Sequence, residues 1–473
     1  MKNPSPCKAL IVLAMLVSSG VAAADPESHD AAQPDVKALQ RKVDTMSEEL
    51  EQLKAQLKQL QSQSPPSGAA QTQQSKSPPE AQVKPPEAPQ VKAEAPAPAS
   101  DERLSEFLSR WEKVSLWGYG EIYYTHPTSD SAQTQADLAR AVIGIGYQFD
   151  PSTRFNSEFE WEHAVASASD VGEAEVEQFY VDHNLNPWAS FQAGLFLIPA
   201  GLLNEHHEPT QFYGVQRNFV ETLIIPSTWR EGGVAFKAAS PNGFTGTVGI
   251  TTGLDFSKWE FNPATPLYNS AFTLEFNDVA PMQATHQELA IANAQHLSGF
   301  ASLNYTGVLG LLVGGSVWTG KQAPALTNIP DNEHATLWEI HARYHPGKLD
   351  LSGVYAHGYF TNTAEANVQF PGASNPLPAS FYGYYLQAAY SLWQRNETSL
   401  NPFVRWEHYN MASSLSGVTW QVPPTGFPQP FDTVTTVGLN YYLTPQVVFK
   451  ADYQHFLVNQ TFTRFDLGLG LAF

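Results

Sequence analysis

The sequence has almost no cysteine, little positive charge and no long apolar run. Its 473 residues contain one cysteine, Cys7, and 26 Lys and Arg against 46 Asp and Glu, a net charge of −20. Such a chain would repel a phosphate backbone, and no basic stripe offsets that charge, which excludes a nucleic-acid binder. No window holds the roughly 18 consecutive apolar residues of a transmembrane helix. With 15 % charged and 12 % aromatic residues, the chain also has fewer charged residues and more aromatic residues than is usual for an acidic soluble protein.

The first 24 residues have the three parts of a secretory signal peptide. Lys2 and Lys8 supply the positive region, an apolar run covers 9–17, and the alanines at 22–24 form a small-residue cleavage site. A membrane anchor is the alternative, but the run is well short of the roughly 20 residues that span a bilayer. We therefore expect export and cleavage after residue 24. Cys7 would leave with the peptide, which excludes cysteine nucleophiles and cysteine-ligated metals from the mature chain.

Residues 35–61 carry a heptad pattern. Apolar residues recur at alternating spacings of three and four, at Val36, Leu39, Val43, Met46, Leu50, Leu53, Leu57 and Leu60. This pattern predicts a short coiled coil, in which Glu49 and Lys54 occupy flanking positions that favour a parallel oligomer. An amphipathic helix docked on its own chain is the alternative. Residues 62–100, rich in Pro, Ala, Gln and Ser, predict an extended linker because they have too little apolar bulk for a core.

From residue 110 to the end, the dominant pattern is strict alternation of apolar with polar or small residues. At the C-terminus Phe465, Leu467, Leu469, Leu471 and Phe473 share one face, while charged and small residues occupy the other. An exported chain that ends on such a strand, with a terminal Phe473 as assembly signal, is typical of an outer-membrane barrel. A soluble all-β protein is the alternative, but it would not expose rings in this way.

Connection lengths also alternate between short and long. Seven short turns are expected at 150–153, 186–189, 241–244, 306–310, 345–348, 394–401 and 443–446. Short turns at one end and long loops at the other are the pattern of outer-membrane barrels. The fold predicted for 110–473 is therefore an all-β transmembrane barrel of about 16 antiparallel strands, wide enough for an aqueous channel.

The loop after the fifth predicted strand, 199–231, is a candidate for the pore constriction. We expect its charged residues to lie near the narrowest point, namely Glu205, Glu208, Arg217, Glu221, Arg230 and Glu231. On the alternating strands, the charged residues predicted to face the lumen are Arg140, Arg154, Glu158, Glu160, Glu162, Glu339, Arg343, Arg405, Glu407, Lys450, Asp452, Arg464 and Asp466.

The chain resembles the phosphate-selective porins O and P. The resemblance rests on the signal peptide, the coiled coil, the Pro-rich spacer, the sixteen-strand body and the stretch HEPTQFYGVQRN…IIPSTWREGGVAF, and it covers most of the mature chain. It implies a trimeric outer-membrane channel with the third loop at the constriction. Phosphate-specific members are associated with a ladder of arginines and a cluster of lysines in the pore, and this sequence departs from both.

Charge within the body favours cations over anions. From residue 110 onward there are 15 Lys and Arg against 32 Asp and Glu, and the third loop has no lysine. Four opposite-charge pairs on single faces, Arg405 with Glu407, Lys450 with Asp452, Arg464 with Asp466, and Glu339 with Arg343, are expected to brace the wall. Glu158, Glu160 and Glu162 are followed by Glu173, Glu175 and Glu177; they could form an acidic ring that enriches cations, or a solvated rim that contacts lipopolysaccharide through divalent ions.

The expected function is a passive porin for small hydrophilic solutes and ions, weakly cation-selective. A phosphate or anion-selective porin, or a plugged barrel acting as adhesin or cell-wall anchor, is the alternative. Enzyme activity is not expected because no nucleophile, base and acid stand out together, and no cofactor or metal is expected, since the adjacent His206 and His207 with Glu208 rarely converge on one ion. The expected partners are further copies of the chain in a homotrimer, outer-membrane lipid, lipopolysaccharide, the barrel-assembly machinery and peptidoglycan. The expected location is the outer membrane of a Gram-negative bacterium, with the stalk in the periplasm.

Overall fold

The computed structural model describes residues 111–166, 172–263, 279–418 and 428–473. The predicted signal peptide, coiled coil and linker lie outside these residues.

Strands dominate the described residues. They are β1 Val114–Pro127, β2 Gln135–Asp150, β3 Thr153–Glu162, β4 Ala174–Asn186, β5 Ala189–Leu197, β6 Arg230–Ala239, β7 Phe244–Thr252, β8 Leu297–Tyr305, β9 Leu311–Lys321, β10 His334–Tyr344, β11 Leu349–Phe360, β12 Pro378–Tyr390, β13 Trp393–Arg395, β14 Thr398–Leu415, β15 Phe431–Thr444, β16 Val447–Phe456 and β17 Arg464–Ala472. The described helical segments are short: 3-10 turns at Ser131–Gln133, Phe256–Lys258 and Gln460–Phe462, a π-helical turn Val220–Ile224, and the α-helix α1 Thr363–Asn367. None of these is long and apolar enough to cross a membrane.

The strands close into a barrel. Each strand pairs antiparallel with its neighbour, and β1 pairs with both β2 and β17, with Tyr119 opposite Ala472. The three-residue β13 pairs with the start of β14 and lies beyond the end of β12, which itself pairs with β14. Sixteen of the described strands therefore form the ring, as predicted, and β13 is an extra segment. Closure pairs both edges of the sheet, which is the condition for a sheet in hydrocarbon.

The outer surface of the barrel is apolar and the inner surface is largely polar. On β17, Phe465 and Leu467 are 40 % and 42 % exposed, whereas Arg464 and Asp466 are fully buried. A soluble protein has the reverse distribution of apolar and polar side chains. A barrel in a lipid bilayer requires the distribution seen here, because its outward side chains face the hydrocarbon. The alternation read from the sequence is confirmed on this strand. The last residue, Phe473, closes the ring by exchanging backbone hydrogen bonds with Gly118 at 2.8 and 3.1 Å.

All seven predicted short turns join consecutive strands at one end of the barrel, the short-turn end. At Gly243 the chain requires glycine, because φ is 87° and a methyl group on its Cα would lie 2.5 Å from the backbone of Gly307. The eight longer connections lie at the opposite, long-loop end. Barrels of this type place the short turns in the periplasm.

Two long connections fold into the barrel rather than away from it. These are loop 3, residues 198–229, and the β7–β8 connection, which is described at 253–263 and 279–296. With inward side chains of the wall they form a buried apolar core that includes Trp229, Trp318 and Phe256. The rings of Trp229 and Trp318 pack edge to face with centroids 5.4 Å apart. Part of the lumen is therefore filled by apolar packing.

Candidate functional site

Loop 3 is attached to one side of the barrel wall, formed by β14–β17. Its backbone amides donate to wall side chains: Val215 to Asp452 at 2.6 Å, Gly214 to Asn440 at 3.2 Å, and Phe219 to Glu407 at 2.6 Å. Hydrogen bonds to ionised acceptors are stronger than neutral ones. The loop is thereby fixed against this wall, and the open space lies on the other side, along β1–β6.

Two of the four predicted wall pairs form, and they also hold loop 3. Arg405 bonds Glu407 at 2.8 Å and donates to the Tyr213 carbonyl at 3.1 Å. Arg464 bonds Asp466 at 3.0 Å and donates to the Gln216 side chain at 2.6 Å.

The other two predicted pairs are replaced by different contacts. The ammonium of Lys450 lies 3.5 Å from the centre of the Phe212 ring, and Glu339 bonds His341 at 2.8 Å. Arg343 pairs with Asp350 at 2.5 Å. Other partners therefore displace these two same-face pairs.

A polar cavity of about 420 Å³ opens towards the long-loop end between loop 3 and strands β1–β6. We call it the vestibule. Its lining includes seven carboxylates and four cationic side chains: Glu121, Asp137, Glu160, Glu162, Glu173, Glu175 and Glu288 against Arg140, Arg217, Arg230 and Lys258. Acidic side chains therefore outnumber cationic ones in the lining of the vestibule.

The arginines of the vestibule are held by specific partners. Arg230 bonds Glu175 at 2.5 Å and Glu288 at 2.8 Å, and Arg140 bonds Glu121 at 2.6 Å. Arg217 donates to the hydroxyls of Ser227 and Thr228. Carboxylates thus offset two of these three positive charges locally.

Next to the vestibule, on the side of the short-turn end, the side chains of four residues come together inside the barrel. Tyr119 of β1, Glu158 of β3, Glu177 of β4 and His207 of loop 3 form this group, which we call the throat cluster. The Tyr119 hydroxyl lies 2.7 Å from a Glu177 oxygen and 2.6 Å from Nε2 of His207. Further towards the short-turn end, a second cavity of about 340 Å³ is lined by Glu205 and Lys237 among others. The residues that line this cavity and those that line the vestibule do not overlap.

The predicted constriction residues occupy different environments. Arg217 and Arg230 line the vestibule, and Arg230 and Glu231 are the first two residues of β6 rather than part of the loop. Glu205 lines the second cavity, near the short-turn end, and lies 3.8 Å from Lys237. Glu208 is half-buried.

Glu221 and Glu231 act as internal braces. Glu221 accepts the amides of Leu202 and Leu203 at 2.6 and 2.8 Å, and Glu231 accepts the Thr252 hydroxyl at 2.5 Å. Both are fully engaged inside the protein and away from the vestibule lining.

The predicted acidic wall is also divided. Glu160 and Glu162 line the vestibule, whereas Glu158 accepts from the Trp117 indole at 2.7 Å and from the Gln178 amide. Arg154, near the short-turn end, bonds Asp182 at 2.9 Å. Glu158 and Glu160 are almost completely buried within the barrel, so the alternative of a solvated outer rim does not describe them.

Sequence reasoning missed how β4 faces the lumen. The β3–β4 register shifts between Glu158 and Phe159, so that Glu158 lies opposite Gln178 while Phe159 lies opposite Val176. The residue between them, Glu177, is the extra one of a β-bulge, and such bulges re-aim side chains. Glu177 and Gln178 consequently both reach Glu158 and its neighbours. No periodic signal marks this position in the sequence.

The comparisons with known proteins support the fold. No protein-family model matches the chain. A relative, an uncharacterized protein of Aquifex aeolicus (strain VF5), is 29 % identical over 353 residues, which cover 72 % of this chain and 75 % of the relative. Among solved structures, OmpF of Salmonella typhi in complex with daunomycin is 12 % identical, with a TM-score of 0.52 over 76 % of this chain and 97 % of that one.

Two further solved structures are less similar to this chain. The outer membrane channel DcaP of Acinetobacter baumannii has a TM-score of 0.45 at 8 % identity, over 76 % of this chain and 97 % of that one. The anion-selective porin from Comamonas acidovorans has a TM-score of 0.44 at 11 % identity, over 76 % and 99 %. Together with the closed ring and its apolar exterior, the OmpF likeness shows that the described residues have the same closed antiparallel β-barrel fold.

Proposed function

We propose that this protein is a passive outer-membrane porin with a weak preference for cations. The observation that carries the proposal is the vestibule: a polar, acid-rich cavity inside a closed barrel whose outer face suits lipid. The porin fold favours a channel over an enzyme. The chain would be exported by its signal peptide and inserted in the outer membrane of a Gram-negative bacterium, with the Pro-rich linker and coiled coil in the periplasm.

We further propose a homotrimer. The support is the heptad pattern of residues 35–61, which needs partner helices to bury its seam. Cross-linking of the purified full-length protein tests this proposal. A ladder that ends at three chains, and that loses its trimer band when Leu50 and Leu53 are both changed to Asp, is the expected result.

Reversal potential across a planar bilayer in a salt gradient tests the channel. Wild-type protein should give discrete conductance steps and a cation-directed potential. The double variant Glu162→Lys with Glu173→Lys reverses two vestibule charges and should shift the potential towards anions. Glu397→Lys makes the same kind of change at an exposed position in the turn between β13 and β14, and should leave the potential unchanged. Equal shifts in the vestibule variant and in Glu397→Lys would contradict the role of the vestibule.

The phosphate or anion-selective alternative is supported by the three vestibule arginines, Arg140, Arg217 and Arg230. An anion-directed potential that phosphate blocks would favour it. A folded trimer that conducts no ions would instead favour the plugged barrel acting as adhesin or cell-wall anchor, for which peptidoglycan is the candidate ligand of the stalk.

A further inference from the structure

The throat cluster brings together side chains of the kinds that bind metal ions. Glu158, Glu177 and His207 each direct one donor atom to a common point, and these three atoms lie within 4.8 Å of one another. Nε2 of His207 is 3.7 Å from Oε1 of Glu177. The exposed fractions of the three residues are 7 %, 0 % and 3 %, so the donors are shielded from bulk water.

The histidine is oriented as a ligand. Its Nδ1 lies 2.9 Å from the carbonyl oxygen of Asn204, which can only accept, so Nδ1 carries the proton. In the neutral imidazole, Nε2 then has its lone pair free and points into the cluster. Metal-bound histidines usually have their second nitrogen held in this way by a carbonyl or a carboxylate.

The cluster also has too few protons for its oxygens and nitrogen. Among the described residues, Oε1 of Glu177 has no hydrogen-bond donor, although this side chain is fully buried. The carboxyl groups of Glu160 and Glu177 are joined by a side-chain hydrogen bond, so one proton is shared between these two acids. The single proton of the Tyr119 hydroxyl cannot serve both Nε2 of His207 and Oε2 of Glu177.

The nearest guanidinium, that of Arg140, directs two of its nitrogens to acceptors other than these carboxylates. Arg140 bonds Glu121 at 2.6 Å and the carbonyl oxygen of His207 at 2.5 Å, and its closest approach to Glu160 is 4.0 Å. Buried carboxylates that face each other need a shared proton or a bound cation. The geometry therefore leaves a place for a cation between Glu158, Glu177 and His207.

We propose that Glu158, Glu177 and His207 bind a divalent transition-metal ion of the zinc class, with the Tyr119 oxygen or a water as fourth ligand. Zinc lies about 2.0–2.2 Å from nitrogen and oxygen ligands, so donors 3.7 Å apart subtend about 125° at the ion, close to a tetrahedral arrangement. An imidazole in the donor set favours zinc, cobalt or nickel over magnesium or calcium. The proposal does not depend on whether the barrel conducts.

The ligands come from three different elements. Glu158 and Glu177 belong to the neighbouring wall strands β3 and β4, and His207 belongs to loop 3. The Trp117 indole supports the site from outside by its 2.7 Å bond to Glu158. A bound ion would thus join loop 3 to the wall opposite β14–β17.

Metal titration of the untagged full-length protein in detergent, after chelator treatment, tests the site. Zinc is followed by calorimetry and cobalt by its visible absorption, which intensifies in a tetrahedral site. We expect one ion per chain. Trp117→Phe, which removes a supporting hydrogen bond, should weaken binding about 10–100-fold, and His207→Ala and Glu177→Gln should weaken it more.

His206→Ala is the matched control, because His206 is adjacent in sequence but exposed. It should bind zinc and cobalt as the wild type does. Circular dichroism and heat-modifiable mobility on gels establish that each variant is folded; if His207→Ala does not fold, Glu177→Gln and Trp117→Phe decide the matter. Absence of stoichiometric binding would show that the throat cluster holds no metal ion. Binding that is equally strong in His207→Ala and Glu177→Gln would place the ion elsewhere. Either result overturns the proposal.

Discussion

The contact between Glu407 and loop 3 gives the sharpest prediction about stability. Glu407 is fully buried and accepts the Nε of Arg405 at 2.8 Å and the amide of Phe219 at 2.6 Å. In Glu407→Ala, the Arg405 guanidinium stays buried and keeps only the Tyr213 carbonyl at 3.1 Å and the Gln387 side chain at 3.4 Å. Removal of one partner of a buried ion pair costs about 3–5 kcal/mol. We expect a loss of stability of this size.

The matched control is Glu205→Ala. Its ion pair with Lys237 spans 3.8 Å, and both side chains are more than a third exposed. Solvent screening limits such a pair to about 0–1 kcal/mol. Denaturant unfolding of the detergent-embedded barrel compares the two variants through the midpoint and slope of the transition.

A double variant separates the charge from the packing. Arg405→Met with Glu407→Leu removes both charges, and it should recover much of the stability that Glu407→Ala loses, because apolar residues of similar volume often replace buried ion pairs without cost. The amide of Phe219 still lacks its acceptor there, so recovery should be incomplete. A loss below about 1 kcal/mol in Glu407→Ala, or one equal to that of Glu205→Ala, would refute the reasoning.

Three further predictions concern other parts of the barrel. Burial lowers the pKa of His286 from 6.5 to about 4. This group therefore leaves the free energy of unfolding unchanged above pH 6.5 and reduces it as the pH falls to 4, by about 3 kcal/mol in all. The thermal stability of His286→Gln should depend less on pH over that range, and an unchanged dependence would contradict the role of His286. Gly194 in β5 has φ of 136° and lies against the Phe179 carbonyl, so Gly194→Ala should lower the free energy of unfolding by at least about 1–3 kcal/mol, as measured by denaturant unfolding. Gly246 in β7 has ordinary contact distances, so Gly246→Ala should change that free energy by less than about 0.5 kcal/mol. Phe473→Ala should lower the yield of heat-modifiable folded barrel, whereas Phe449→Ala on the lipid-facing side of β16 should not.

The barrel could be predicted because lipid reverses the usual pattern of burial. Alternation such as Phe465, Leu467 and Leu471 is local, has a period of two, and is interrupted by turns with their own residue preferences. Each strand could therefore be read within a short window, and the even strand number followed from seven turns. The fold of residues 111–473 needed no long-range information.

The interior could not be predicted in this way, because its contacts join residues far apart in sequence. Phe219 bonds a side chain 188 residues away, and Val215 one 237 residues away. The same holds for Lys450, whose partner is the Phe212 ring rather than the nearby Asp452. Nor could the sequence indicate which of His206 and His207 points inward, since the local backbone of loop 3 decides this. The bulge at Glu177 is a single extra residue without a periodic signature.

The buried contacts that hold loop 3 and the charges that line the vestibule belong to different residues. Stability depends on β14–β17, where Glu407, Asp452 and Arg464 hold the loop through buried hydrogen bonds. Under the proposed function, ion preference depends on vestibule charges such as Glu162. Because Glu407 lies on β14 and Glu162 on β3, far apart around the ring, their effects should add in combined variants. Glu407→Ala joined with Glu162→Lys should therefore show the sum of the two single shifts in stability, while the reversal potential follows Glu162→Lys alone. A coupling above about 0.5 kcal/mol would mean that loop 3 transmits strain across the lumen and is not held rigidly by one wall.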